Sequence, residues 1–324
     1  IDFGTSLIMF GFASPKRLKQ CGIIGMNRRN VQLIAENNPR QLYPLVDNKL
    51  KTKQLCLKSG IATPDLLAVF RAQYELRSLE PTLKGLEGFV IKPAQGSGGK
   101  GILVIIDRRG DHFIRTDGSE IDSNHVHRHI SNILSGLYSL GGRNDVAIVE
   151  SLVQFDPCFE GMSYKGVPDI RVIVYKGYPV MAMTRLSTHS SHGKANLHQG
   201  AVGVGLSIRN GSTLRAVMRD NPVTFHPDTG KDLTKLNIPR WDDLLALSAR
   251  CYEITNLGYL GVDLVLDKDL GPLLMELNAR PGLAIQLANG QGLLPRINAV
   301  NAISARYDHS ISERVLFSQN EFDT

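Results

Sequence analysis

"YLGVDLVLDKDLGPLLMELNAR", residues 259–280, carries acidic and amide side chains inside two otherwise apolar runs. The runs flank a polar loop near Lys268–Gly271, so the stretch reads as a β-hairpin. With pairing symmetric about that loop, Asp263 faces Glu276 across the two strands. Side chains alternate along a strand, so Glu276 and Asn278 share a face. Val262, Leu264 and Leu266, with Leu273, Met275 and Leu277, then form the core side. Two carboxylates placed directly opposite repel. A divalent cation removes that repulsion, and two carboxylates plus an amide oxygen are a hard-oxygen set suited to Mg²⁺. The alternative is the polar face of a half-solvated antiparallel sheet.

A second distinctive stretch is "VIKPAQGSGGKGILVI", a glycine-rich loop between two predicted strands. It is not a phosphate loop of the GxxxxGK[ST] type, because Ala94 and Gly101 stand where Gly and Ser or Thr are needed. No helix follows, which also removes a dinucleotide-binding fingerprint. A glycine hairpin with free backbone N–H groups can instead close over phosphates. Lys92, on the preceding strand, would add a cation.

The rest of the chain supplies context. Asp47 or Asn48 caps a predicted helix through Lys58, with Gly60 and Pro64 beyond it. "PDLLAVFRAQYELRSL" reads as a second helix and "DVAIVESLV" as a strand. "DIRVIVYKGYPVMAMTRL" reads as a hairpin turning at Lys176-Gly177, and "WDDLLALSARCYEITNLG" as an amphipathic helix. Hairpins with interspersed helices predict an α+β fold. The turn-rich stretch from Asn37 to Asn48 predicts a join between a short N-terminal piece and the main body.

With 324 residues and a net charge of +6, the chain is long enough for two or three subdomains and suits anionic ligands or an acidic partner. Basic runs such as "KRLKQ" and "MNRRN" lack interleaved aromatics, so no nucleic-acid partner is expected. No apolar run reaches the roughly 18 residues that span a bilayer, so no membrane role is expected. "TSLIMFGFA" reads as an apolar helix or strand rather than a signal peptide. The chain begins at Ile1, not Met, which suggests a missing native N-terminus. Four widely spaced cysteines read as reduced, packed residues, and a cytoplasmic setting follows. "THSSHGKANLHQG" reads as a substrate-contacting loop rather than a metal cluster, and "HVHRH" (His125 to His129) as a solvated helix face.

Taken together, "DNKLKTKQL", "FVIKPAQGSGGKGI", "VESLV", "DIRVIVY", "ANLHQGAVG" and "GVDLVL…MELNARPG" resemble the ATP-grasp superfamily. Within it, the chain is similar to α-L-glutamate ligase-like proteins, related to the ribosomal-protein glutamate ligases. The resemblance covers about Asp47 to Asn289. It implies two α/β subdomains clamping ATP. Residues 1–46 form a reduced N-terminal segment, 47–150 a small subdomain with a glycine-rich lid, and 151–324 a large subdomain with the metal site.

The resemblance also implies residue roles. Lys49 and Lys92 contact ATP phosphates. Gln95, Gly96, Ser97, Gly98, Gly99 and Gly101 belong to the lid. Glu150, Leu152 and Val153 line the adenine hinge, Asp169 lies near the sugar or phosphates, and Lys194 and Asn196 meet phosphate and metal. Asp263, Glu276 and Asn278 hold two Mg²⁺ ions, with Mn²⁺ as a possible substitute. Arg171, Arg185 and Arg280 meet the acceptor carboxylate and the acyl-phosphate.

The implied activity is amide-bond formation through an acyl-phosphate. An amino-acid donor such as glutamate joins a carboxylate-bearing acceptor, either a peptide or a small molecule, and a homo-oligomer is expected. Two departures stand out: the short N-terminal segment, and Arg280 where many relatives carry a small or apolar residue. The alternatives are an ATP-grasp kinase and a nucleotide-binding module without catalysis.

Overall fold

A computed structural model describes residues 14–322 except Ser97. The apolar stretch "TSLIMFGFA" and the lid residue Ser97 therefore lie outside the described residues. Two antiparallel sheets carry the fold. The smaller contains β1 (Leu66–Phe70), β2 (Phe89–Pro93), β3 (Leu103–Arg109), β4 (His112–Arg115), β5 (Glu120–Asp122) and β6 (Ala147–Ser151), in the order β1-β6-β2-β3-β4-β5. The larger contains β7 (Asp169–Tyr175), β8 (Tyr178–Leu186), β9 (Val202–Leu206), β10 (Thr213–Met218), β11 (Asn221–Val223), β12 (Tyr259–Asp267) and β13 (Gly271–Asn278). Its order is β11-β10-β9-β8-β7-β12-β13. Helices and antiparallel sheets are mixed, as the α+β reading requires.

Each sheet has its own core. Helix Ser123–Leu134 buries Val126, Ile130 and Ile133 against the small sheet, where Phe89 and Phe113 meet edge to face at 5.6 Å. Helix Trp241–Thr255 buries Leu244, Leu245 and Cys251 in the large core, with Val172, Val262 and Leu264. The two units are stitched together where the chain leaves β6. Gln154 N donates to Asp267 Oδ2 at 2.8 Å, Lys268 N donates to Gln154 O at 2.7 Å, and Asp156 N donates to Leu266 O at 3.0 Å. The segment just past Glu150 is thereby held against the β12–β13 turn.

Two local expectations are corrected. "PDLLAVFRAQYELRSL" is not one helix: Leu66–Phe70 forms β1 against β6, and a 3-10 turn, Gln73–Ser78, follows. A five-residue apolar run carries no decisive period, and the free edge of β6 captures it as a strand. The β12–β13 alternation also shifts. Asp267 pairs with Gly271 and Leu264 with Leu274, but Asp263 pairs with Glu276. A β-bulge at Met275 absorbs the extra residue. Leu277 enters the large core as expected, but Leu274 joins it there in place of Leu273 and Met275.

Gly205 in β9 shows how tightly the large unit packs. A Cβ there would lie 2.4 Å from the Ala288 carbonyl oxygen, on helix Ile285–Asn289. Backbone cannot yield as a flexible side chain can. Gly205→Ala is expected to destabilise the fold by about 2–3 kcal/mol in a denaturant titration.

Candidate active site

The β12–β13 hairpin presents Asp263, Glu276 and Asn278 beside two strands that each bring an arginine. β7 pairs with β12 so that Arg171 lies opposite Asp263, and β8 pairs with β7 so that Arg185 lies opposite Asp169. Arg171 grips Asp263 in a fork, Nε to Oδ1 at 2.7 Å and Nη2 to Oδ2 at 2.6 Å. Arg185 forks onto Asp169, with Nε donating to Oδ1 at 2.7 Å, and its Nη2 also lies 3.1 Å from Asp263 Oδ2. Asn278 Nδ2 donates to the same Asp263 oxygen at 3.2 Å. Such bidentate, charge-assisted pairs are the strong ones.

Glu276 is the least buried of the three carboxylates and is paired with Lys49, whose Nζ lies 3.0 Å from Oε1. The same ammonium donates to Gly96 O at 2.9 Å. Lys49 thus ties the base of the glycine-rich loop to the carboxylate of β13. Three carboxylates (Asp169, Asp263, Glu276) are matched by three cations (Lys49, Arg171, Arg185), so the cluster is neutral.

Burial alone would raise the Asp263 carboxyl, but Arg171 and Arg185 outweigh it and hold it at about 2. For Asp169 the balance goes the other way. Burial, with Asp263 nearby, pushes it above the usual carboxylate range against the pull of Arg185. Arg185 is deprotonated even less readily than a free arginine: burial opposes its charge, but two flanking carboxylates overcome that.

A second charge group lies on the small sheet. Glu150, 2% exposed, sits between Lys92 and Lys53. Lys53 Nζ is 2.7 Å from Glu150 Oε1, off the direction of a hydrogen bond, and donates instead to Thr63 Oγ1 at 2.6 Å and to Pro64 O. Burial pushes the Lys53 ammonium below the ordinary lysine range, with Glu150 opposing. Two buried ammonium groups share one carboxylate, so a surplus positive charge remains that an anion would satisfy. Lys53 was missed in the sequence. It stands one helical turn from Lys49 on helix Lys49–Lys58, which was the available signal.

The glycine-rich loop starts at Gln95, whose N–H donates to both oxygens of buried Asp145 at 3.1 and 3.0 Å. At its far end, Gly101 O accepts from His129 Nε2 at 3.0 Å. Between the ends, Gly98 and Gly99 have open space around them. The "HVHRH" stretch is therefore not a uniformly solvated face: His129 is part-buried against Tyr138, with ring centroids 5.5 Å apart.

The remaining expected residues are spread more widely. Leu152 and Val153 follow β6, in the segment tied to the β12–β13 turn. Asn196 caps its own loop, Oδ1 accepting from His198 N at 3.0 Å, and Lys194 is exposed in the same loop. That loop leaves the end of β8 beside Arg185, and Tyr164 stacks on His189 there at 3.6 Å. Arg280 is not gathered into the Asp263 cluster. It is an exposed rim residue over the Tyr43 ring, 3.4 Å from Asp47. Two hollows of about 550 and 400 Å³ lie elsewhere, one beside Lys84 and Phe113, the other beside Cys21 and Phe322. They share no residue with this cluster, and the convergence of charge marks the site better than concavity does.

The donor set suits the dication that the hairpin suggests. Asp263, Glu276 and Asn278 present hard oxygen donors on adjacent strands, and among the described residues nothing donates to Glu276 Oε2 or Asn278 Oδ1. The residues fit such an ion, on the condition that Asp263 exchanges a guanidinium for it. Among the described residues no group of three or more His, Cys, Asp or Glu is placed to hold a metal ion, and no helix is long and apolar enough to cross a membrane.

A family model described as sugar-transfer associated ATP-grasp matches residues 28–302. No curated protein matches the sequence. Among solved structures, the chain is similar to the ATP-grasp ligase PsnB complexed with a minimal precursor, at 12% identity and TM-score 0.45, over 82% of this chain and 62% of that one. It is similar to D-cycloserine synthetase DcsG at 14% identity and TM-score 0.46, over 83% and 72%. It is also similar to the D-alanine–D-alanine ligase of Bacillus anthracis complexed with ATP, at 15% identity and TM-score 0.44, over 87% and 67%. The chain spans less than two thirds of the length of PsnB.

Proposed function

The chain belongs to the sugar-transfer associated ATP-grasp family, and from that premise we propose that it is an ATP-dependent, ADP-forming carboxylate–amine ligase. One observation carries the reading. Asp263, Glu276 and Asn278 converge with Arg171 and Arg185 on one side, and with Lys49 beneath the glycine-rich loop on the other. A kinase needs the phosphate-binding half of that arrangement. The paired arginines are what a substrate carboxylate requires.

The reaction balances as two displacements. A carboxylate oxygen of one substrate forms a bond to the γ-phosphorus of ATP, and the bond to the ADP oxygen breaks. The amine nitrogen of the second substrate then bonds to the acyl carbon, inorganic phosphate leaves with the electron pair, and the amine proton passes to phosphate or solvent. No enzyme nucleophile is needed. The protein must neutralise charge and align the partners.

Lys92 and Lys49 serve the phosphates, and the surplus charge around Glu150 favours their anionic oxygens. The chain from Glu150 through Val153 serves the adenine, Asp169 the region of the sugar and phosphates, and Lys194 and Asn196 the outer phosphate. Asp263, Glu276 and Asn278 would hold Mg²⁺, which supplies neutralisation of the transferred phosphoryl group. The neutral state of the cluster suggests how the substrate carboxylate is received. Were Asp263 to hold the metal ion instead of a guanidinium, Arg171 or Arg185 would be free to bind an anion beside it. Arg280, exposed beside Asp47, meets the part of the acceptor that projects outward.

The donor in this reading is glutamate or a similar amino acid, and the acceptor a peptide or small molecule. The family description, sugar-transfer associated, adds amino-sugar amines to the acceptors worth testing. The experiment incubates the protein with ATP, Mg²⁺, single amino acids and a panel of peptides and amino sugars, reading ADP, free phosphate and product mass. ADP and free phosphate are expected in equal amounts, with a product lighter than its two precursors by one water. Phosphate retained on an alcohol would indicate the kinase instead. No stimulation of ADP formation by any carboxylate would sink the ligase. In the same assay Lys92→Met is expected to raise the KM for ATP by about tenfold or more, the loss of one charge-assisted contact.

A further inference from the structure

The glycine-rich loop rests on a platform built by a different part of the chain. Helix Ser123–Leu134 is capped at Ser135, and residues 136–145 run back beneath the loop before entering β6. Gly136 permits this path: it has φ +84°, and a Cβ would lie 2.4 Å from Arg143 O. Asp145, 3% exposed, accepts Gln95 N on both oxygens, Val146 N on Oδ1 at 2.7 Å, and Ser139 Oγ on Oδ2 at 2.6 Å. Gly96 forms an isolated bridge with Ser139. On the far side, Tyr138 fills the space where a Gly101 side chain would stand, its ring 2.6 Å from that Cβ position, and the neighbouring His129 holds Gly101 O. Adjacent residues, Tyr138 and Ser139, thus meet opposite ends of one loop.

From this double anchoring we propose that His129, Ser139 and Asp145 are positioning residues for the nucleotide lid: they fix both ends so that only the Gly98–Lys100 tip swings. This rests on nucleotide binding beneath the loop, the reading proposed above. The physical reason is entropic. A flap pinned at two points samples few closed geometries, so the backbone N–H groups at its tip meet the phosphates with little ordering cost. A flap loose at one end pays that cost at each binding event. It also admits water to the acyl-phosphate.

His129→Phe keeps a ring against Tyr138 and removes only the donor to Gly101 O. His129→Gln keeps an N–H donor. Ser139→Ala removes one of the donors that orient Asp145. Lys100, exposed at the tip, is a natural trypsin site, so cleavage between Lys100 and Gly101 reads the lid directly. ATP binding is measured separately by calorimetry, and thermal unfolding checks the fold.

MgATP is expected to slow this cleavage in the wild type. His129→Phe and Ser139→Ala should lose most of that protection, bind ATP about five- to tenfold more weakly, and form more ADP per amide product, with unfolding temperature preserved. His129→Gln should recover protection. Equal protection in wild type and variants overturns the positioning role and leaves the ligase reading standing. So does a wild type that binds ATP without protection. A wild type that does not bind ATP overturns both.

Discussion

Replacing Glu276 with alanine is expected to lower ATP-dependent turnover by about a thousandfold or more, while the protein stays folded. The asymmetry follows from its surroundings. The Glu276 side chain is 37% exposed, and among the described residues its one ion pair is with Lys49. Part-exposed pairs of that kind contribute about 0–1 kcal/mol to stability. Its chemical role is larger, because charge on the transferred phosphoryl group must be offset where it develops, a contribution of several kcal/mol, and each 1.4 kcal/mol is about tenfold in rate. Steady-state ADP formation beside a denaturant titration separates the two. Turnover within tenfold of wild type would contradict the metal role of Glu276.

Asp263→Ala should behave differently, damaging fold and activity together. Arg171 and Arg185 both lean on this carboxylate, and all three side chains are at most 13% exposed. Arg185 keeps Asp169, but Arg171 loses the bidentate partner of its guanidinium. Removing one member of a buried pair in this way costs about 3–5 kcal/mol. Denaturant midpoint and turnover should therefore both fall. Asp263→Asn, which keeps the volume and an acceptor oxygen, should lose less stability but similar activity. If Asp263→Ala unfolds at the wild-type denaturant concentration, the buried pairing described here does not hold in solution.

Several elements were legible in the sequence because their determinants are local. Asn48, as expected, caps helix Lys49–Lys58, accepting from Lys51 N at 3.1 Å. The Lys176-Gly177 turn joins β7 and β8, with both residues at positive φ. Elements were misread where the deciding partner was remote. β1 looked helical until the edge of β6 was available to pair with it. His129 looked solvated because nothing in "HVHRH" reveals a carbonyl 28 residues away. Arg280 looked central because it closely follows the metal-type motif, but the chain bends at Ala279–Arg280 and leaves it at the rim with Asp47.

By itself the sequence determined that Asp263, Glu276 and Asn278 lie on the facing strands of one hairpin, with Glu276 and Asn278 on the same side by the two-residue alternation. The bulge at Met275 completes that pairing, because regular alternation from Asp267 opposite Gly271 would set Asp263 opposite Met275. The tertiary structure alone decided what faces the constellation. Arg171 stands 92 residues from Asp263 and Lys49 stands 227 from Glu276, and they arrive only because β7 lies beside β12 and helix Lys49–Lys58 packs near β13. Strand order in a sheet is chosen by burying apolar faces over the whole large core, and no local spacing encodes that choice.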